Sequence, residues 1–431
     1  VPEAPALPRA ARGTTPTLPG SRPRGPLRVL LVGKDATLGD AGPGVVADTR
    51  ERHVGYARAL RARRPGSELR VVYYRPAARG GGDEAPAEGL RLYPTLSRHR
   101  AAFLTGVAAG VRRALAGGWR PHLVSAQNPW EEGVFAWGLA RALGAAFVPQ
   151  LHFDLFTPAF LREHPINHWR RRVAGRVLRG GDLVRVVSAG LREAATRELG
   201  IPAERIRIVP VGVRFTPAEG GREAARAALG VAPGVPLVLY VGRFHAAKNL
   251  PLWVEAARRV AAEVPGARFV LAGDGPEAGE LRAQAAAGGI GDRVAFPGMV
   301  GYERLPALFA AADLFMLSSS NEGYGRVVVE AGLAGLPVVA TDCPGPRDLL
   351  AEGGGVLVPR GDAEALAAAV VGLLRDEPAR RAIGEAGRAR MNATFGAAAL
   401  IERLVDCWEE AAQLAERPST VRSSETSSET G

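Results

Sequence analysis

Residues 236–249 read Pro-Leu-Val-Leu-Tyr-Val-Gly-Arg-Phe-His-Ala-Ala-Lys-Asn. A strand is expected over 236–242 (PLVLYVG), apolar without a break from Leu237 to Val241. A run without polar alternation marks a strand covered on both faces. Gly242 then lets the backbone turn sharply, and a polar loop with two cations leads into a helical pattern. The same unit recurs downstream, with strands expected at 268–273, 293–296, 313–317, 337–340 and 355–358 and helices between them. Upstream, 28–33 (RVLLVG), 68–74, 122–125, 146–151, 183–187 and 206–209 form an earlier series, with helical patterns at 48–63, 100–116 and 130–143. Between the two series, 214–234 carries little strand pattern and holds Pro217, Gly220, Gly221, Pro233 and Gly234. Alternating strands and helices predict a parallel sheet covered on both faces. Two such series predict an α/β protein of two Rossmann-like domains facing across a cleft, with ligands beyond the carboxyl ends of the strands.

Size and composition agree. At 431 residues the chain exceeds one typical domain. Its 47% hydrophobic and 23% charged residues are those of a globular protein. No apolar run reaches the roughly 18 residues of a spanning helix. Residues 1–26 hold seven prolines and no apolar h-region, so they read as a disordered lead-in and not as a signal peptide. The chain opens on Val1, which leaves a processed or truncated start open. Residues 417–431, rich in Ser, Thr and Glu, read as a disordered tail. The expected organisation is 27–213, 214–396, and a last helix at 397–416 whose Leu400, Leu404, Trp408 and Ala412 share one face and pack back across both halves. Cys343 and Cys407 make neither a disulfide framework nor a metal-ligand spacing, which fits a reducing, cytoplasmic setting.

The net charge is +11 and rests on arginine, because Lys34 and Lys248 are the only lysines. Coding bias is the preferred reading of that total, with affinity for anions as the alternative. A basic nucleic-acid-binding protein is a rival of another class. It predicts steep salt dependence, but the chain carries no nucleic-acid motif, and no nucleic-acid partner is expected.

Each strand of the second series ends in residues suited to a phosphorylated ligand. Arg243 and Lys248 follow the first, where two cations can hold a diphosphate and stabilise the charge it gains on leaving. Lys248 keeps a compact point charge in a chain that otherwise uses Arg. Gly273-Asp274-Gly275-Pro276 follows the second and also fits an ordinary helix entry with Pro276 near its first turn. Most specific is Ser318-Ser319-Ser320-Asn321-Glu322-Gly323-Tyr324-Gly325-Arg326, continuing Val-Val-Val to Glu330. Gly323 and Gly325 clear side chains from a helix N-terminus, whose free N–H groups face an anion. Glu322 in that loop suits sugar hydroxyls, and Glu330, expected about two turns down the helix, suits a ribose. The plainer alternative is a capping carboxylate plus a surface glutamate. A further loop, 341–348, has small residues that allow close approach to a phosphate or sugar.

The combination G-R-x5-K-N, G-D-G-P and E-G-Y-G-x4-E-A-G-x2-G-L-P-V-V-A, spread over 236–362, resembles glycosyltransferase family 4, the glycosyl transferases group 1, whose fold is GT-B. The resemblance runs over about 27–416. It implies that Arg243 and Lys248, with Gly242, Gly273 and Asp274, hold a donor diphosphate. It implies that Glu322 binds the transferred sugar, that Glu330 binds the donor ribose, and that Gly323, Tyr324, Gly325 and Arg326 contact sugar and phosphate. The second half is then the nucleotide-sugar-binding domain and the first half the acceptor side.

The first half resembles the family more loosely. His152, in Gln150-Leu151-His152-Phe153-Asp154, stands where family members carry an active-site His. A His that merely caps its strand is the alternative. Val211 and Arg214 replace the Asn and Asp usual in the link between domains. Lys34, Asp35 and Gly44 lie in a loop longer than the family's Gly-Gly turn, expected against the acceptor and part of the donor phosphate, and His53 is a candidate extension of it. Residues 168–179 form a basic amphipathic helix. A scaffold helix with Trp169 packed inward is preferred there over a membrane-surface role.

The implied activity is a retaining, metal-independent hexosyltransferase. A UDP- or GDP-sugar is the expected donor, and a glycan, lipid-linked or small-molecule acceptor receives the sugar. No cofactor is expected, and peripheral contact with the inner face of a membrane is allowed. His152, Arg243, Lys248 and Glu322 are the catalytic candidates. Sugar-nucleotide epimerase is the rival within the fold. Phosphorylase is disfavoured for want of a further lysine to carry its cofactor.

Overall fold

The computed structural model describes residues 25–34, 38, 47–98, 102–213, 215–216, 218 and 221–416. Its first sheet contains β1 (Arg28–Gly33), β2 (Glu68–Tyr73), β3 (Glu84–Ala87), β4 (Leu90–Pro94), β5 (Leu123–Ala126), β6 (Ala146–Leu151), β7 (Val184–Val186) and β8 (Ile206–Ile208). Their order is β3-β4-β2-β1-β5-β6-β7-β8. The second sheet contains β9 (Leu237–Val241), β10 (Arg268–Ala272), β11 (Val294–Gly298), β12 (Leu314–Leu317), β13 (Val338–Thr341) and β14 (Gly355–Val358), in the order β11-β10-β9-β12-β13-β14. The two-sheet α/β expectation is met, and every pairing but one is parallel. The exception is β3, which runs antiparallel to β4 at the sheet edge.

Sequence reading missed β3 and β4. Glu-Ala-Pro-Ala has no apolar run, and Pro86 is tolerated because an edge strand leaves one side unpaired. In β4, Arg91 points out while Leu90 and Leu92 are buried, an alternation too short to stand out from a loop.

The central strands supply both faces of the first core. Val29 and Leu31 pack on one side with Leu69, Val71 and Val148, while Leu30 and Val32 pack on the other with Val72, Val124 and Phe147. This is the period of two that a pleated strand imposes. The helix Ala397–Glu416 closes the first of these faces. Its Leu404, Val405, Trp408, Ala411 and Ala412 are buried against the first half, and Leu400 joins the core of the second. Tyr56 meets Trp408 edge-on with ring centres 5.7 Å apart. Arg63 binds Glu402 and Asp406 at the rim of the same contact. The last helix therefore crosses back and fastens one half to the other.

The helix Ile166–Arg179 corrects an expectation. Trp169 is 49% exposed and Ile166 is 40% exposed, because the buried stripe is Asn167, Ala174, Gly175, Val177 and Leu178. At 100° per residue Trp169 lies about 140° around the helix from Ala174, so it faces out. Among the described residues, no helix is long and apolar enough to cross a membrane.

Candidate functional site

In each sheet the strand order reverses beside one central strand. β1 lies between β2 and β5, and β9 between β10 and β12. Loops leaving such strands diverge and open a crevice. The β9, β10 and β12 loops carry predicted donor residues. The β1 and β6 loops carry Lys34 and His152 of the first half.

The β9 and β10 loops pack backbone to backbone. Phe244 N–H donates to the Asp274 carbonyl at 2.9 Å, and Gly242 N–H to the Ala272 carbonyl at 3.0 Å. A Cβ at Gly273 would stand 1.8 Å from the Gly242 carbonyl oxygen, and its φ is +148°. Only glycine fits there. Asp274 is exposed and accepts from Gly275 N–H at 2.8 Å. The helix that follows begins at Ala278, later than Pro276 predicts. Arg243 is exposed, and its guanidinium pairs with no described residue.

Lys248 ends a short 3-10 turn, Ala246–Lys248. Ser318 Oγ, at the end of β12, lies 2.9 Å from both the Lys248 and Asn249 carbonyls and so holds this turn against β12. Asn249 takes the left-handed φ of +46°, which Asn tolerates better than most residues. Lys248 Nζ forms an ion pair with Glu322 Oε2. The other oxygen, Glu322 Oε1, accepts from Gly325 N–H at 3.1 Å. Glu322 thus joins the β9 cation to the amino end of the helix Arg326–Leu333.

Glu330 lies nearer that end than expected. The helix starts at Arg326, so Glu330 is little more than one turn along it. Arg326 Nε donates to Glu330 Oε1 at 3.0 Å, and its Nη2 lies 3.2 Å from Tyr302 Oη. Tyr324 is buried, which pushes its hydroxyl pKa up. Ser319 Oγ, Asn321 Oδ1 and Tyr324 Oη are all buried without a hydrogen-bond partner. Buried polar atoms are seldom left unpaired, so this loop concentrates hydrogen-bonding capacity that a ligand can meet.

The two halves touch beside this loop. A Cβ at Gly323 would meet Phe153 Cα at 2.6 Å and the His152 carbonyl oxygen at 2.7 Å. The absent side chain lets the loop after β12 press against the β6 exit. Asn321 Nδ2 donates to the Asp154 carbonyl and to Thr157 Oγ1, each at 3.2 Å. Asp348 Oδ2 accepts from Ala189 N–H and Gly190 N–H, capping the helix Ala189–Leu199 from the opposite half. A carboxylate there satisfies orphan donors and the positive helix end together.

His152 Nε2 lies 3.0 Å from Gln150 Oε1. Burial and the charges of Arg185 and Arg52 push its pKa down to about 3, so the ring is neutral at ordinary pH. Arg185 is itself buried. Neither Gln150 nor Arg185 drew a functional reading from the sequence, nor did Asn321 or Asp348. The readable signal for Arg185 was a lone cation inside the apolar triplet Val-Arg-Val.

In the first half, Lys34 is already engaged. Its Nζ lies 3.1 Å from Glu131 Oε2 and 3.5 Å from Glu132 Oε2, with the Phe103 ring centre 4.9 Å away. Arg170 also binds Glu131, at 2.8 Å. Burial pushes the Glu132 pKa up, while Arg170 and Lys34 hold that of Glu131 down against its own burial. Asp35, Gly44 and Arg214 lie outside the described residues. His53 is buried, with Nδ1 2.7 Å from the Thr49 carbonyl and its ring edge-on to Tyr56, while most of the loop it was expected to extend lies outside the described residues. Among the described residues, no three His, Cys, Asp or Glu side chains are grouped to hold a metal ion.

Comparison with known proteins yields one family match per sheet. Residues 221–390 match the glycosyl transferases group 1, and residues 50–212 match the glycosyl transferase 4-like domain. The chain is 30% identical over 315 residues to a D-inositol 3-phosphate glycosyltransferase of Segniliparus rotundus, covering 70% of this chain and 68% of that protein. It is 32% identical over 257 residues to an alpha-D-kanosaminyltransferase of Streptomyces kanamyceticus, covering 57% and 66%. Relatives at 32% to 38% identity are matched over only 43% to 66% of their length. The fold resembles that of Anabaena HepE, solved in complex with UDP and glucose, at a TM-score of 0.69 and 21% identity, covering 89% of this chain and 100% of that one.

Proposed function

The chain belongs to the glycosyl transferases group 1, and from that membership we propose that it moves a hexose-type sugar from a nucleotide-diphosphate sugar to an acceptor hydroxyl, retaining the anomeric configuration and using no divalent metal. The observation that carries the proposal is the Lys248–Glu322 pair at the amino end of the helix Arg326–Leu333, beside the His152 backbone. In the proposed reaction the bond from the anomeric carbon to the phosphate oxygen breaks. The acceptor oxygen bonds to that carbon on the same face, and its proton passes to the departing phosphate. Lys248 and Arg243 stabilise the charge that the diphosphate gains, and the helix N–H groups add to it. Glu322 and Glu330 orient the sugar and ribose hydroxyls, each shared with its present cation. A UDP- or GDP-sugar is the proposed donor, supported by the uridine nucleotide in HepE. The acceptor is a glycan, a lipid-linked sugar or a small molecule.

UDP-, GDP- and ADP-sugars are expected to differ in thermal stabilisation. A cognate donor at 100 times its Kd adds about 2.7 kcal/mol. With that donor, nucleoside diphosphate is released at an undiminished rate in excess EDTA. If no nucleotide sugar raises the Tm, the proposal fails. If EDTA stops release, its metal-free part fails.

The acceptor is proposed to be reached at a membrane surface. Ile166, Trp169, Arg172 and Arg176 share the exposed face of the helix Ile166–Arg179, and basic faces with an exposed Trp suit anionic lipid. The protein is expected to sediment with vesicles containing phosphatidylglycerol, and Trp169→Ala with Arg172→Ala to weaken this severalfold. Sedimentation that is no greater than with neutral vesicles rules the contact out.

A further inference from the structure

We infer that Gln150 and Arg185 are positioning residues that hold His152 as its Nε2–H tautomer, so that Nδ1 meets the ligand as a hydrogen-bond acceptor. The inference rests on the proposed sugar transfer, with His152 at the β6 exit against which the Gly323 loop packs. The starting point is Arg185, whose guanidinium carries donors only. Its Nη1 lies 2.7 Å from one terminal atom of the Gln150 carboxamide. That atom must be the oxygen, Oε1. The amide NH₂ therefore points the other way, to Ser125 Oγ at 2.9 Å. Ser125 can accept there because its own hydroxyl donates to the Val148 carbonyl at 2.8 Å. The orientation of the carboxamide is thus settled at both ends.

His152 Nε2 faces the same Oε1 at 3.0 Å. An oxygen facing a ring nitrogen can only accept, so Nε2 carries the hydrogen. The ring is neutral for the reasons given above, which leaves Nδ1 with a lone pair. Nδ1 makes no hydrogen bond to a described residue. The arrangement is rigid at its far end too. Arg185 Nε donates to the Val209 carbonyl at 2.9 Å and Nη2 to the Pro210 carbonyl at 3.1 Å. These carbonyls belong to the backbone leaving the first sheet for the second half. One buried guanidinium therefore fixes both the histidine tautomer and the start of the crossover.

The chemical consequence is a selection rule. An Nδ1 lone pair takes a hydrogen bond from a sugar hydroxyl. It offers no proton to a phosphate oxygen, which has no hydrogen to give in return. His152 is then a reader of hydroxyls on the transferred sugar and not a clamp on the diphosphate.

The test uses the full chain labelled with ¹⁵N-histidine. Of its seven histidines, His152 is assigned by the resonances lost in His152→Asn. At about pH 8 the wild type is expected to show a protonated Nε2 and a bare Nδ1. Gln150→Glu keeps the accepting oxygen and is expected to keep that tautomer. Its added charge raises the histidine pKa by about 1 to 3 units, still short of pH 8. Gln150→Met removes the acceptor and is expected to give a tautomer mixture, with kcat lowered roughly tenfold and KM nearly unchanged. A deoxy donor lacking the hydroxyl that His152 reads should lose rate in the wild type but lose less in Gln150→Met. A wild type protonated at Nδ1 overturns the inference, as does a folded Gln150→Met with an unaltered tautomer. If Gln150→Met fails to fold, the wild-type and Gln150→Glu spectra still decide. The tautomer is read without turnover, so it stands or falls apart from the transferase proposal.

Discussion

Lys248→Ala is expected to lower turnover by about 10²–10³, the usual consequence of removing one electrostatic donor to a developing charge. KM for the donor should change much less, because the leaving diphosphate gains its charge only as the bond breaks. The pairing with Glu322 complicates a single mutant. Removing Lys248 leaves a largely buried carboxylate, 14% exposed, without its cation, and an orphaned charge of that kind damages a site by itself. The double variant with Glu322→Gln separates the two effects. If Lys248 served only to neutralise Glu322, the double variant regains most of the activity lost in Lys248→Ala. If Lys248 supports the leaving group, the double variant stays at least as slow. Turnover within threefold of wild type in Lys248→Ala removes the residue from the mechanism. The two effects will not add, since the side chains are in direct contact.

Gly273→Ala carries the largest expected structural effect. Its new methyl would overlap the Gly242 carbonyl, 1.8 Å away, at a φ of +148° that other residues rarely adopt. Strain of this type costs about 1–3 kcal/mol, and overpacking adds about as much. Because Gly242 immediately precedes Arg243, the loops can separate only by moving the proposed diphosphate cation. Thermal unfolding should shift down by several degrees. Any folded fraction should lose about 10²-fold in activity, as a misplacement near 1 Å does. Gly279→Ala serves as the control, since its Cβ would meet nothing within 4 Å. Equal Tm values for the two variants would show that the loops have room to part.

The legible features were those with a short-range signature. β1, β6 and β14 were predicted at their observed ends, and β2, β9 and β10 to within a residue or so, because buried parallel strands announce themselves as apolar runs, closed by glycine in β1, β9 and β10. The helix entry after β12 was legible because glycine spacing and two glutamates are local facts. The β3–β4 edge was not, since an edge strand needs neither an apolar run nor full backbone pairing. Trp169 was misread because amphipathic spacing defines a stripe without saying which stripe meets the core. Asp348 capping a helix of the other half had no sequence signal, because donor and acceptor lie 159 positions apart along the chain.

Sequence alone determined the two βα series and the placing of Arg243, Lys248, Glu322 and Glu330 at the carboxyl ends of the second sheet or on the helix leaving it, whereas the strand order that makes β1 and β9 the switch strands came from the fold. These follow from hydrophobic period and glycine chemistry, which act over a few residues. Tertiary structure decided which charges meet. Lys248 joins Glu322, Arg326 joins Glu330, and Lys34 is held by Glu131 and Glu132. It also decided that a buried Arg185 sets Gln150 and, through it, His152. Hydrogen bonds and ion pairs depend on distances of about 3 Å between groups far apart in the chain, and only the folded backbone supplies those distances.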